Sequence, residues 1–101
     1  MQRVWRTVTG FYHVCARGTG KQLIFEGDED RWEFLELMRE CCREAGVTVI
    51  AWCLMGNHVH LVLADYEDAM SAAMHRLLLT YARRFNKRTG RTGHLFQNRF
   101  D

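Results

Sequence analysis

Residues 47–65, "VTVIAWCLMGNHVHLVLAD", constrain the fold more than any other stretch of the chain. Two apolar runs rich in β-branched residues flank Gly56 and Asn57. A turn dipeptide between two such runs predicts a β-hairpin. In the second run Val59, Leu61 and Leu63 alternate with His58, His60 and Val62. Side chains two apart on a strand share a face. One face of this strand is therefore expected to pack on helices, while the other presents two imidazoles.

Helical patterns lie on both sides of the hairpin. Before it, Phe34, Leu35, Met38, Cys41, Cys42 and Ala45 recur at three- and four-residue steps. Asp28 is the expected N-cap, Glu29 and Asp30 suit the first turn, and Gly46 ends the helix. After it, from near Glu67, Met70, Ala73, Met74, Leu77, Leu78, Tyr81 and Phe85 form one apolar stripe. The N-terminal run "VWRTVTGFYHVCARG" predicts one strand, bulged at Gly10. "QLIFEG" suggests a brief extended segment, and "GHLFQNRF" a final strand. The order is βαββαβ, which predicts a single α+β domain over residues 1–101: a ferredoxin-like sandwich with an antiparallel sheet.

Composition narrows the class. Hydrophobic residues make up 48% of the chain, with three Trp, three Tyr and six Phe, which argues against disorder. No apolar run is long enough to span a membrane, and "MQRVWRTVTG" lacks a signal-peptide core, so a cytoplasmic protein is expected. The four cysteines form no CxxC pair and are expected to be buried small hydrophobes. Net charge is only +2, but acidic residues cluster between Glu26 and Glu44, and the C-terminal third is basic. That asymmetry points to a polyanionic partner.

His58 and His60 lie about 6.5–7 Å apart along an extended strand and can lean toward one shared ion. The other reading is a pair of hydrogen-bonded structural histidines. A nucleotide phosphohydrolase of the histidine-triad kind would need a third histidine where Val62 stands. His13 alternates with Val14 and can face the same side as the pair. Asn57 is read as a turn residue. His75 and His94 are read as surface or structural residues, and Phe96 and Phe100 as core residues or base-stacking platforms.

"YHVCARG", "FEGDEDRWEFL", "AWCLMGNHVHLVL" and "YARRFNKRTGRTGHLFQNRF" occur in this order over essentially the whole chain. Together they resemble the single-tyrosine HUH transposases, above all the REP-associated tyrosine transposases and their insertion-sequence relatives. The resemblance implies chemistry on single-stranded or hairpin DNA. A tyrosine attacks a scissile phosphate while a divalent metal, held by two histidines, polarises it. His58 and His60 match those metal ligands, and Mg2+ or Mn2+ is the implied cofactor, with imidazole favouring Mn2+. The family's nucleophile and a third, polar ligand follow the "FQNRF" motif on a further helix. They are expected beyond Asp101, so the chain is expected to be a C-terminally truncated domain that cannot complete strand transfer alone. Tyr81 is the fallback nucleophile within it, ahead of Tyr12 and Tyr66.

Arg17, Arg76, Arg83, Arg84, Lys87, Arg88, Arg91 and Arg99 are the expected DNA contacts, with Lys21 a further candidate. Relatives include dimers and monomers, so a homodimer remains open. Two other readings stand beside the transposase: a non-catalytic remnant that binds DNA hairpins, and a ferredoxin-like domain with no DNA role.

Overall fold

In a computed structural model of the chain, the sheet is built from two hairpins, and helices cover one of its faces. The structure describes residues 3–6 and 10–97. The elements run β1 (Arg3–Arg6), β2 (Phe11–Arg17), α1 (Asp28–Ala45), β3 (Thr48–Leu54), β4 (His58–Ala64) and α2 (Met70–Thr89). Strand order is β1-β2-β4-β3, and every neighbouring pair is antiparallel. The α+β, ferredoxin-like arrangement expected from the sequence is the one observed.

The first expected strand is in fact a hairpin. Gly10 is no bulge: it lies in the connection between the antiparallel β1 and β2, directly before β2, with φ of +83°. A Cβ there would lie 2.7 Å from the Tyr66 ring, so both backbone and space call for glycine. The expected extended piece "QLIFEG" forms no strand. A 3-10 turn, Thr19–Lys21, leads into irregular chain that buries Ile24 and Phe25 and leaves Leu23 exposed. Of the expected final strand, an isolated bridge between Phe96 and Gly18 is seen within the described residues. Gln97 donates to the Arg17 carbonyl and Thr19 to the Leu95 carbonyl, so residues 95–97 continue the edge that β1 begins. This is where the last strand of a ferredoxin-like sheet belongs.

The hairpin of β3 and β4 is as expected, with a register shift between Val49 and Ala51. Helix α1 is preceded by Gly27 rather than capped by Asp28, and Gly46 closes it in the left-handed conformation. The buried Asp30 carboxylate instead accepts a hydrogen bond of 2.7 Å from the Glu26 amide. Helix α2 starts three residues later than expected, at Met70. Asp65, just after β4, accepts from the Met70 amide at 2.7 Å and from Glu67 at 3.1 Å, acting as a cap from a distance. All seven residues of the expected α2 stripe are buried.

Val14 and Ala16 of β2, with Val59, Leu61 and Leu63 of β4, meet Phe34, Leu37, Met38, Cys41 and Cys42 of α1 and the α2 stripe in one core. Each fully buried large side chain contributes about 1.5–3 kcal/mol. Phe25, Phe34 and Tyr81 meet edge-to-face or tilted at centroid distances of 5.3–5.7 Å. Three cysteines are buried as expected, and burial pushes the Cys42 thiol up to about 11. Cys53 departs from expectation: it is exposed, because β3 is an edge strand.

Candidate functional site

Alternation along β4 decides the site. Val59, Leu61 and Leu63 face the helices, so His58 and His60 are set on the opposite face of the sheet, each half-buried. Their ring centroids are 5.0 Å apart and their planes nearly perpendicular, at 89°. His13 of β2 joins them. It sits one step along the sheet, opposite Val62, with its ring centroid 5.2 Å from that of His60. His13 Nε2 lies 3.1 Å from His60 Nδ1. The side that His13 was expected to face is the side it faces.

The second imidazole is also held. His58 Nδ1 lies 2.8 Å from Asn57 Oδ1, and Asn57 Nδ2 donates to the Lys21 carbonyl at 3.5 Å. Asn57 therefore does more than make the turn. The sequence signal was the bare adjacency of Asn57 and His58, which alone does not separate a turn amide from an imidazole partner.

Cys15 and Cys53 flank His60 in register, and Arg17 flanks His58. Arg17 is exposed. Burial, followed by the neighbouring His58, His13 and Arg17, lowers the His60 pKa below its ordinary value. The neutral form is the one that ligates metals. Two half-buried imidazoles on one face fit half of a divalent cation site. Among the described residues, no cluster of three or more His, Cys, Asp or Glu has the arrangement to hold a metal ion. The donor set is thus a pair of nitrogens needing oxygens from elsewhere.

The tyrosines are placed unambiguously. Tyr81 is fully buried, and its hydroxyl donates to the Ile24 carbonyl. Burial drives its phenol well above the ordinary range. It lies on the helical side of the sheet, away from the histidines, so the fallback nucleophile is a core residue. Tyr12 is buried as well. Tyr66 is exposed, but it follows the far end of β4, roughly 20 Å along the strand direction from His58.

The basic residues divide into two groups. Arg76 pairs with Glu44, Arg84 lies 3.6 Å from Glu33, and Arg88 bridges Asp30 at 2.6 Å and Glu33 at 2.7 Å. The acidic stretch of α1 thus answers the basic stretch of α2 across the helix pair. The separation in sequence that suggested a polyanion is partly cancelled in space, and these three arginines carry structural contacts. Arg83 and Lys87 are exposed, with no carboxylate in ion-pair range among the described residues. Arg91 binds the Gln22 side chain and lies 6.0 Å from the Phe85 ring centroid. Arg99 and Phe100 lie outside the described residues, whereas Phe96 is a core residue. No helix of the described chain is long and apolar enough to cross a membrane.

A ferredoxin-like α+β domain, covered by helices on one face and carrying paired strand histidines on the other, is the class that fold and site define. A comparison with curated proteins found no match. The family model described as "Transposase IS200 like" matches residues 7–101, and the chain belongs to that family.

Proposed function

We propose that the chain serves DNA strand cleavage and rejoining, with His58 and His60 holding Mg2+ or Mn2+ beside a scissile phosphate of single-stranded or hairpin DNA. The observation that carries this reading is the pair of adjoining imidazoles on the face that the helices leave uncovered. A bound divalent cation supplies charge neutralisation at a non-bridging phosphate oxygen. His58 and His60 present ring nitrogens from a strand anchored behind by Val59 and Leu61. Arg17, in register with His58, adds positive charge on the same face. Arg83 and Lys87 of α2 neutralise flanking phosphates of a strand that passes round the domain. The attacking tyrosine of this reading comes from outside the described residues, because Tyr12 and Tyr81 are buried and Tyr66 is remote.

A second reading, hairpin binding without cleavage, draws support from the same placement of the tyrosines. One experiment separates the two. Mn2+-dependent nicking of a hairpin-bearing oligonucleotide is measured on protein that includes the family's C-terminal tyrosine helix, alongside His58→Ala and His60→Ala. Nicking by the unsubstituted protein, lost in both variants while most DNA affinity survives, supports cleavage. Binding without nicking by the unsubstituted protein supports hairpin binding alone. Equal loss of folding in both variants makes the histidines structural and ends the metal reading.

A further inference from the structure

We propose that His13 is a positioning residue for the candidate metal pair, and that with Asn57 it fixes which nitrogen His58 and His60 offer. The inference rests on the two-histidine reading above and deepens it.

A neutral imidazole has one N–H and one lone pair, so the group bonded to one nitrogen dictates what the other can do. For His58 the chain of hydrogen bonds begins at the Lys21 carbonyl, which can only accept. Asn57 Nδ2 donates to it, which leaves Asn57 Oδ1 turned to His58. An amide oxygen accepts, so His58 Nδ1 carries the proton. Nε2 is then the lone-pair nitrogen. His60 shows the same geometry with a different partner: its Nδ1 lies 3.1 Å from His13 Nε2. With His60 Nδ1 donating and His13 Nε2 accepting, His60 Nε2 also holds a lone pair. The reverse arrangement would put the proton on His60 Nε2 and remove it as a ligand. One partner comes from the hairpin turn and the other from the neighbouring strand, yet both engage Nδ1.

Metal-binding histidines ordinarily donate their second N–H to a fixed acceptor, and loss of that acceptor costs about 10–100-fold in affinity. Imidazole serves here where a carboxylate or carbonyl is more usual. It adds no negative charge beside the candidate site.

Two measurements test this. The first is the tautomer of His58 and His60 in metal-free protein at pH 8, from long-range 1H–15N correlation spectra. Both are expected as Nδ1–H forms, against the Nε2–H preference of free histidine; an Nε2–H His60 overturns the inference. The second is Mn2+ affinity from electron paramagnetic resonance titration of wild type, His13→Ala and His13→Gln. His13→Ala is expected to bind about 10–100-fold more weakly. His13→Gln, whose amide oxygen can accept from His60, is expected to recover most of that loss. Wild-type affinity in His13→Ala overturns this inference and leaves the metal pair standing. Failure of the wild type to bind Mn2+ overturns the metal pair and this inference with it.

Discussion

Arg88, in the last turns of α2, reaches across to α1 and closes a 2.6 Å ion pair on Asp30, whose side chain is 9% exposed. Asp30 also accepts the Glu26 amide. One carboxylate therefore joins the chain entering α1 to the end of α2. The same Arg88 guanidinium lies 5.8 Å from the Phe85 ring centroid.

Arg88→Ala should destabilise the fold. An exposed pair is worth about 0–1 kcal/mol and breaking a buried one costs about 3–5 kcal/mol. Asp30 is buried but Arg88 is half-exposed, and the Glu26 hydrogen bond remains, so a loss of about 1–3 kcal/mol is expected. Urea denaturation measures it. An unchanged midpoint would remove the pair from the fold's supports.

Arg83→Ala with Lys87→Ala should act on DNA instead. Both side chains are exposed and lack carboxylate partners among the described residues. Each phosphate that is no longer neutralised flattens the plot of log affinity against log salt by about 0.7 on single-stranded and about 0.9 on duplex DNA, so the double variant should flatten it by about 1.4–1.8. Arg84→Ala, which removes one of the two arginine partners of Glu33, should change the slope less. Fluorescence anisotropy with a hairpin oligonucleotide across a salt series distinguishes them. Equal slopes in the wild type and the double variant would take this face of α2 off the DNA.

Tyr81→Phe should cost stability and nothing in the chemistry at the histidines. The substitution leaves the Ile24 carbonyl without its donor. A buried acceptor stripped of its partner costs about 1–3 kcal/mol. Chemical denaturation reads the loss, and Mn2+ binding should match the wild type. A lower Mn2+ affinity at intact folding would contradict the placement of Tyr81 in the core.

Stability of the metal-free protein should fall with acidification through His60. Its folded pKa lies below the ordinary value of 6.5, chiefly through burial. Between the two values the unfolded chain holds more protons, so stability rises with pH. The contribution is complete above pH 6.5 and is lost as pH falls toward the folded value. In the presence of chelator, the wild type should lose more stability than His60→Asn between pH 7.5 and pH 5. Parallel losses in the two proteins would assign the acid sensitivity elsewhere.

The β3–β4 hairpin and both helices were legible because each depends on a repeat within a few neighbouring residues. Period two set His58 and His60 apart from Val59 and Leu61, and period three to four gave the complete buried stripe of α2. The β1–β2 hairpin was not legible. Its residues suit a strand throughout, and only the antiparallel pairing of Arg3 with Cys15 and Arg6 with Tyr12 reveals the reversal. Three pairings likewise waited for the fold: His13 beside His60, Asn57 holding His58, and Arg88 answering Asp30.

What the sequence by itself determined is therefore the class of fold, the family and the face on which two imidazoles stand. Strand alternation and helical periodicity are local rules and need no knowledge of distant residues. What tertiary structure decided is which charges and rings meet. Arg76, Arg84 and Arg88 read as a basic surface along the chain, yet close onto Glu44, Glu33 and Asp30 when the helices pack. Electrostatics and hydrogen bonding act over a few ångströms in space, and only the folded chain sets residues that far apart in sequence within that reach.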